Sequence, residues 1–167
     1  CVEVGCDGRL LIFDAGTGLR ELGKKVDVHG AVEADIFFTH AHLDHVGGLP
    51  FFSSAFNSEN KFRLWSGHLD NNLTMKHVLD RLMSNPLCPV PFEVFQADIS
   101  FHNFLPGDEI SLTDKIIIYT TPLNHPQGAV GYRVDYEGKS ICYVSDTEHY
   151  SDRIDENVLK LVNGADV

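Results

Sequence analysis

Thr39-His40-Ala41-His42-Leu43-Asp44-His45-Val46-Gly47-Gly48 sets four candidate metal ligands within six residues. In extended backbone, alternate side chains share a face, so His40 and His42 can grip one ion together. If the chain then turns into a helix near Asp44, the next side chains swing elsewhere, and Asp44 and His45 can serve a second ion. Imidazole and carboxylate suit zinc, iron or manganese, whereas the lack of a nearby thiol argues against a structural zinc knuckle. Gly47-Gly48 lets backbone pass close to such a site. The plain alternative, a polar loop of surface histidines, fits poorly with three histidines and an aspartate at the end of an apolar strand.

Two further segments carry chemistry. In Thr121-Pro122-Leu123-Asn124-His125-Pro126-Gln127-Gly128, His125 directly follows a β-rich run. A third imidazole would complete the first ion's protein ligands and leave a position for water, as an open catalytic site requires. Alone, it would read as an ordinary loop histidine. In Tyr143-Val144-Ser145-Asp146-Thr147-Glu148-His149, Asp146 follows a strand and can bridge two ions, or it can cap a helix or turn. Glu148 and His149 stay open between solvated loop residue, proton donor and supporting group. Asp14 also ends a strand and can hold a ligand histidine from behind, with turn chemistry beside Gly16 and Gly18 as the alternative. His29, His68, His77 and His102 have no partners at meaningful spacing and read as surface or half-buried residues.

The elements that must position these groups alternate between strand and helix patterns. Cys1 to Val4 and Leu10 to Phe13 read as strands joined by an Asp7-Gly8 hairpin turn. Leu19 to Lys25 reads as a short helix capped near Thr17, and Ala34 to Thr39 as a buried strand leading into the histidine cluster. Lys61 to Ser66 is a strand pattern. Leu73 to Met83 has helical spacing through Leu73, His77 or Val78, and Leu82, ended by Asn85-Pro86. Residues 87–92 are proline-rich and predict a surface loop. Lys115 to Thr120, Ala129 to Tyr136 and Lys139 to Ser145 predict strands, the last two joined at Glu137-Gly138, and Asp155 to Val162 predicts a helix. The pattern is that of α/β layers over a mixed sheet in one domain spanning residues 1–167.

A chain of 167 residues with 43% hydrophobic and 22% charged residues can bury a globular core, which excludes a disordered tail or a small disulfide scaffold. No run approaches the roughly 18 consecutive apolar residues of a membrane span. The formal net charge of −11 argues against a broad polyanion-binding surface, although a metal can still handle a phosphate. Cys1, Cys6, Cys88 and Cys142 show no close CxxC spacing and are expected to be reduced thiols of a cytoplasmic protein. The chain starts at Cys1 without Met and stops at Ala165-Asp166-Val167, where a new strand starts, so it is expected to be cut at both ends.

At His40-Ala41-His42-Leu43-Asp44-His45 the sequence resembles the metallo-β-lactamase superfamily, matching its HxHxDH signature at every specified position. Leu11-Ile12-Phe13-Asp14-Ala15-Gly16-Thr17-Gly18 looks like the family's first motif, His125 matches the third and Ser145-Asp146-Thr147 the fourth. The resemblance implies an αββα sandwich with a dinuclear site at one edge. In it His40, His42 and His125 would hold one metal, Asp44 and His45 the other, and Asp146 would bridge. The segments 124–133 and 145–149 look most like the phosphodiesterase, tRNase Z-like side. Family members carry one more histidine ligand near their C-terminus, and none follows His149 here.

The expected activity is therefore hydrolysis of a small nucleotide or cyclic phosphodiester. The nucleophile would be a hydroxide held by two divalent ions, zinc first, with manganese or iron as alternatives. Asp44 would orient it and accept its proton, and His149 is a candidate leaving-group acid. Large RNA is disfavoured by the charge, no membrane partner is expected, and a homodimer is left open. A thioester, lactone or β-lactam hydrolase is the alternative, and a non-hydrolytic di-iron sensor domain is a second one.

Overall fold

The computed structural model describes residues 1–27, 30–69 and 73–167; His29 lies outside them. The chain forms two compact units, Cys1–Asn103 and Phe104–Val167.

The first unit is a five-stranded sheet in the order β1-β2-β3-β4-β5: β1 (Val2–Cys6), β2 (Arg9–Phe13), β3 (Glu33–Phe38), β4 (Lys61–Ser66) and β5 (Asp98–Asn103). β1 and β2 form the expected hairpin, with Asp7 and Gly8 both at positive φ (51° and 74°), the geometry of a two-residue turn between twisted strands. The remaining neighbours are parallel, so β2, β3, β4 and β5 all release the chain at one edge.

Each face of this sheet has its own character. One bears Ile12, Ala34, Ile36, Phe38, Phe62 and Leu64, the core against which the helices α1 (Gly18–Val26) and α3 (Met75–Leu82) pack with Leu19, Leu22, Met75 and Leu79. The other carries Phe13, Phe37, Trp65 and His102 in a row across four strands, with successive ring centroids 5.4, 5.7 and 4.4 Å apart. Asp35 sits on this second face, fully buried, and accepts bonds from Arg9 Nη2 (2.7 Å), Arg63 Nε (2.6 Å) and Trp65 Nε1 (2.9 Å). Burial opposes its ionisation, but the bonds from Arg63, Arg9 and Trp65 outweigh burial and hold its carboxyl below the usual range.

Several elements differ from the sequence reading. Thr17 does precede α1, yet its hydroxyl makes no cap bond. α3 starts at Met75 rather than Leu73, because Thr74 and His77 cap its first turn reciprocally. Met75 and Leu79 are fully buried and Val78 and Leu82 pack partly buried beside them, so of the expected His77 or Val78 it is Val78 that faces the core, and His77 is exposed. In the proline-rich stretch Leu87 is 80% exposed, but Phe92 opens a short 3₁₀ turn and is buried. β5 carries no clean alternation in sequence and is found only through its pairing with β4.

The second unit is an antiparallel sheet in the order β6 (Glu109–Ser111), β7 (Ile116–Leu123), β8 (Ala129–Tyr136) and β9 (Lys139–Tyr143), with α4 (Glu156–Val162) packed on β7 and β8 through Leu161. Glu137 and Gly138 make the expected turn at φ 47° and 77°. β7 continues three residues past the expected end, since Thr121, Pro122 and Leu123 pair with Gly131, Val130 and Ala129. β9 ends at Tyr143 instead of Ser145. The last residues lie along β9, with Cys142 N–H on Val167 O (2.8 Å) and Asp166 N–H on Ser140 O (3.1 Å). All four cysteines are free thiols. Among the described residues no helix is long and apolar enough to cross a membrane.

Asp35→Asn removes the buried carboxylate that Arg9 and Arg63 share, leaving Arg63 only its exposed pair with Glu33, and is expected to destabilise the fold by about 2–3 kcal/mol at neutral pH. A carboxyl depressed by folding stabilises above its unfolded value, here 3.8, and loses that contribution as the pH falls through its folded value. Urea titrations should therefore show the gap between wild type and Asp35→Asn closing below pH 3.8; a gap independent of pH would refute the assignment.

Candidate metal centre

β2 and β3 run parallel with Phe13 opposite Phe37, so Asp14 and Thr39 leave the sheet side by side. Asp14 is 2% exposed and sits at φ 61°, a left-handed conformation that Asp tolerates better than most side chains. Its N–H is held by Phe37 O at 2.9 Å. That turn aims the carboxylate at the start of the histidine segment. Oδ1 accepts Thr39 N–H at 2.8 Å, the Thr39 hydroxyl lies 2.9 Å from both carboxylate oxygens, and Oδ2 lies 2.9 Å from His45 Nδ1.

These contacts settle which nitrogen each ring has to offer. A carboxylate only accepts, so His45 Nδ1 carries the proton and Nε2 keeps its lone pair. Nε2 lies 3.4 Å from Asp44 Oδ2. The Thr39 hydroxyl, donating to Asp14, also lies 3.0 Å from His40 Nδ1, which assigns the same tautomer to His40. The His40 ring centroid is 4.4 Å from that of His42 and 4.1 Å from that of His45. Three imidazoles are thus packed together at the end of β3.

Backbone geometry holds this arrangement from behind. His42 is extended (φ −65°, ψ 152°), and α2 (Leu43–Val46) begins directly after it, the turn the sequence reading required. Ala15 N–H bonds His45 O at 2.7 Å and Gly48 N–H bonds Ala15 O at 2.8 Å. A Cβ on Gly48 would meet Gly16 O at 2.0 Å, and one on Gly16 would meet Asp44 O at 2.3 Å. Only glycine permits that approach. α2 leaves the Asp44 side chain 79% exposed and buries His45.

In the second unit His125 follows directly on β7, in a turn closed by Gly128 N–H on His125 O at 2.9 Å, with Gln127 at φ 67°. The loop after β9 returns beside it: Asn124 Nδ2 donates to Glu148 O (2.8 Å) and Glu148 N–H to Asn124 O (2.7 Å). Asp146, two residues before Glu148, is exposed at φ 52°. Glu148 and His149 are exposed on the same loop. The structure thus gathers His40, His42, Asp44 and His45 in one unit, and in the other sets the His125 turn beside the segment of Asp146.

Of the remaining histidines, His77 works in the α3 cap and His102 stacks on Trp65, with its Nε2 2.9 Å from Ser100 Oγ. His68 is different, because it lies close enough to His42 to be influenced by it electrostatically. Spacing gave no hint of this. The parallel register between β3 and β4, visible only in three dimensions, is what places it there.

Residues 9–167 match the model of the beta-lactamase superfamily domain. The ribonuclease Z of Streptococcus uberis is 29% identical over 132 residues, a match taking in 76% of this chain and 41% of that protein. The chain therefore spans about two-fifths of the length of this curated relative. Among solved structures, zinc-bound PqqB from Methylobacterium extorquens superposes with a TM-score of 0.68 at 16% identity, over 98% of this chain and 56% of that one. The short form of human tRNase Z superposes with a TM-score of 0.64 at 17% identity, over 98% and 67%. At such identities the two structures speak for the fold.

Asp14→Asn keeps the size and backbone preference of the residue but weakens its grip on His45. It is expected to lower zinc affinity 10–100-fold, as loss of a carboxylate behind a ligand histidine does, with the fold retained by circular dichroism. Unchanged affinity in a chelator competition would remove Asp14 from the site.

Proposed function

The chain belongs to the metallo-β-lactamase superfamily, on its tRNase Z-like side, and on that footing we propose that it is a metal-dependent hydrolase of phosphoric diesters. The observation that carries this reading is the cluster of three imidazoles at the end of β3. His45 Nδ1 and His40 Nδ1 are anchored behind it, so their Nε2 atoms are left to ligate. Neutral imidazoles beside an exposed carboxylate suit zinc, with manganese or iron as alternatives.

In this proposal His40, His42 and His125 would hold one ion and Asp44 and His45 a second, and Asp146 would serve both. The family signature, which these residues match position by position, is what joins the two groups of ligands. When bound, two such ions supply Lewis-acid stabilisation of charge on phosphorus and a water acidic enough to attack near neutral pH. The Asp44 carboxylate would accept a proton from the attacking water. His149, exposed on the loop after β9, is assigned the proton delivered to the leaving oxygen.

The relative is a ribonuclease, which supports phosphodiester chemistry. For this chain a small nucleotide or cyclic phosphodiester is favoured over large RNA, because a net charge of −11 supplies no broad basic footprint. Four free thiols fit a cytoplasmic setting.

Zinc-loaded protein should turn over bis(p-nitrophenyl) phosphate, lose the activity on chelation and regain it on adding zinc. His40→Ala and Asp146→Ala should each fall to the level of the metal-free protein. Wild-type rates in both variants would sink the mechanism. Turnover confined to thioesters, lactones or β-lactams would move the reaction to a carbonyl centre.

A further inference from the structure

His68 stands two residues beyond the end of β4, as His40 stands two residues beyond the end of β3. The strands are parallel and in register, Phe38 opposite Ser66, so both histidines leave the sheet at the same edge. His68 is influenced electrostatically by His42, which places it in the neighbourhood of the imidazole cluster. Both of its ring nitrogens are shielded from solvent, and neither has a hydrogen-bond partner among the described residues. That is costly, because a buried polar atom left unpaired forfeits its hydration without a replacement, and native folds rarely tolerate it without a use.

Burial disfavours the charged form of the ring. A neutral imidazole keeps one N–H donor and one acceptor. A fixed donor in a shielded place, beside groups that ligate a metal, is the arrangement that stabilises an anionic oxygen, because it needs no reorganisation when the charge arrives.

We propose that His68 is a binding residue of this site, donating its ring N–H to a phosphoryl oxygen held against the His40–His42 end of the cluster. The proposal rests on the phosphodiesterase reading for its substrate class, and on the orphaned imidazole for its location. It accounts for an unsatisfied ring that the metal ligands leave unexplained.

The test uses zinc-loaded full chain, wild type against His68→Phe, His68→Asn and His68→Gln, with inorganic phosphate as the probe. By calorimetry, His68→Phe should bind phosphate at least about tenfold more weakly, as the loss of a hydrogen bond to a charged group does. Zinc content per chain should be unchanged. One of the two amide variants, whose N–H reaches the position of Nδ1 or Nε2, should recover part of the affinity. In urea, metal-free His68→Phe should be as stable as wild type or more so, because it removes an unpaired buried group; a merely structural histidine would lose stability. Equal phosphate affinity in His68→Phe, zinc lost from that variant, or a wild type that binds no phosphate would each overturn the proposal. If zinc-loaded wild type binds phosphate through His68 yet hydrolyses no phosphodiester, the functional reading fails and this one stands.

Discussion

One buried carboxylate fixes the geometry of the histidine cluster. Asp14 receives the backbone N–H and hydroxyl of Thr39 and the Nδ1–H of His45, so it ties the end of β2 to the end of β3 and to the first turn of α2. Each neighbouring feature serves that placement. The positive φ of Asp14 turns its side chain towards the edge where β3 ends, and the bond from Ala15 N–H to His45 O carries the helix on the same support. Gly16 and Gly48 are glycines because the two loops touch backbone to backbone there. An exposed carboxylate could not do this, since water would compete for every bond it makes. At 2% exposure Asp14 is ordered by its partners and orders them in turn.

The strands that deliver these residues must stay in register, and the buried face around Asp35 bears on that. Three side chains from β2 and β4, Arg9, Arg63 and Trp65, converge on one carboxylate of the strand between them. A slip by one residue would send Asp35 to the opposite face, among Ile36, Phe38 and Phe62, where no donor waits. The ion pairs add little net stability to a fold that buries them, because desolvation offsets most of the attraction. Their contribution is to make the wrong pairing expensive, and the pairing in turn sets Asp14, Thr39 and His68 at one edge.

What could be read from the sequence follows how local the determining interaction is. The packing of the histidine cluster was legible because its candidate ligands fall within a strand end and one helical turn, where spacing alone sets direction. The hairpin at Asp7-Gly8 and the turn at Glu137-Gly138 were legible for the same reason. α3 was read two residues early because its start is fixed by the Thr74–His77 cap, whereas Val78 and Leu82 do turn to the core as their spacing indicated. β5 was missed because Asp98-Ile99-Ser100-Phe101-His102-Asn103 becomes a strand only when β4 pairs with it. β7 ran on through Pro122 because the prolyl residue is exposed and its neighbours still complete the pairing with β8. His68 gave no sequence signal at all, since its relation to His42 passes through the register of two strands nearly thirty residues apart.

The two groups of candidate ligands are prepared in different ways, and this bears on how a metal would be taken up. His40 and His45 are held by hydrogen bonds from within a packed sheet edge, so the side-chain freedom an ion would otherwise have to remove is already lost on folding. His125 and Asp146 sit on turns, with Gln127 and Asp146 in the left-handed region and the two segments joined by the paired bonds between Asn124 and Glu148. Turns anchored at their bases and exposed at their tips adjust more readily than strand ends do.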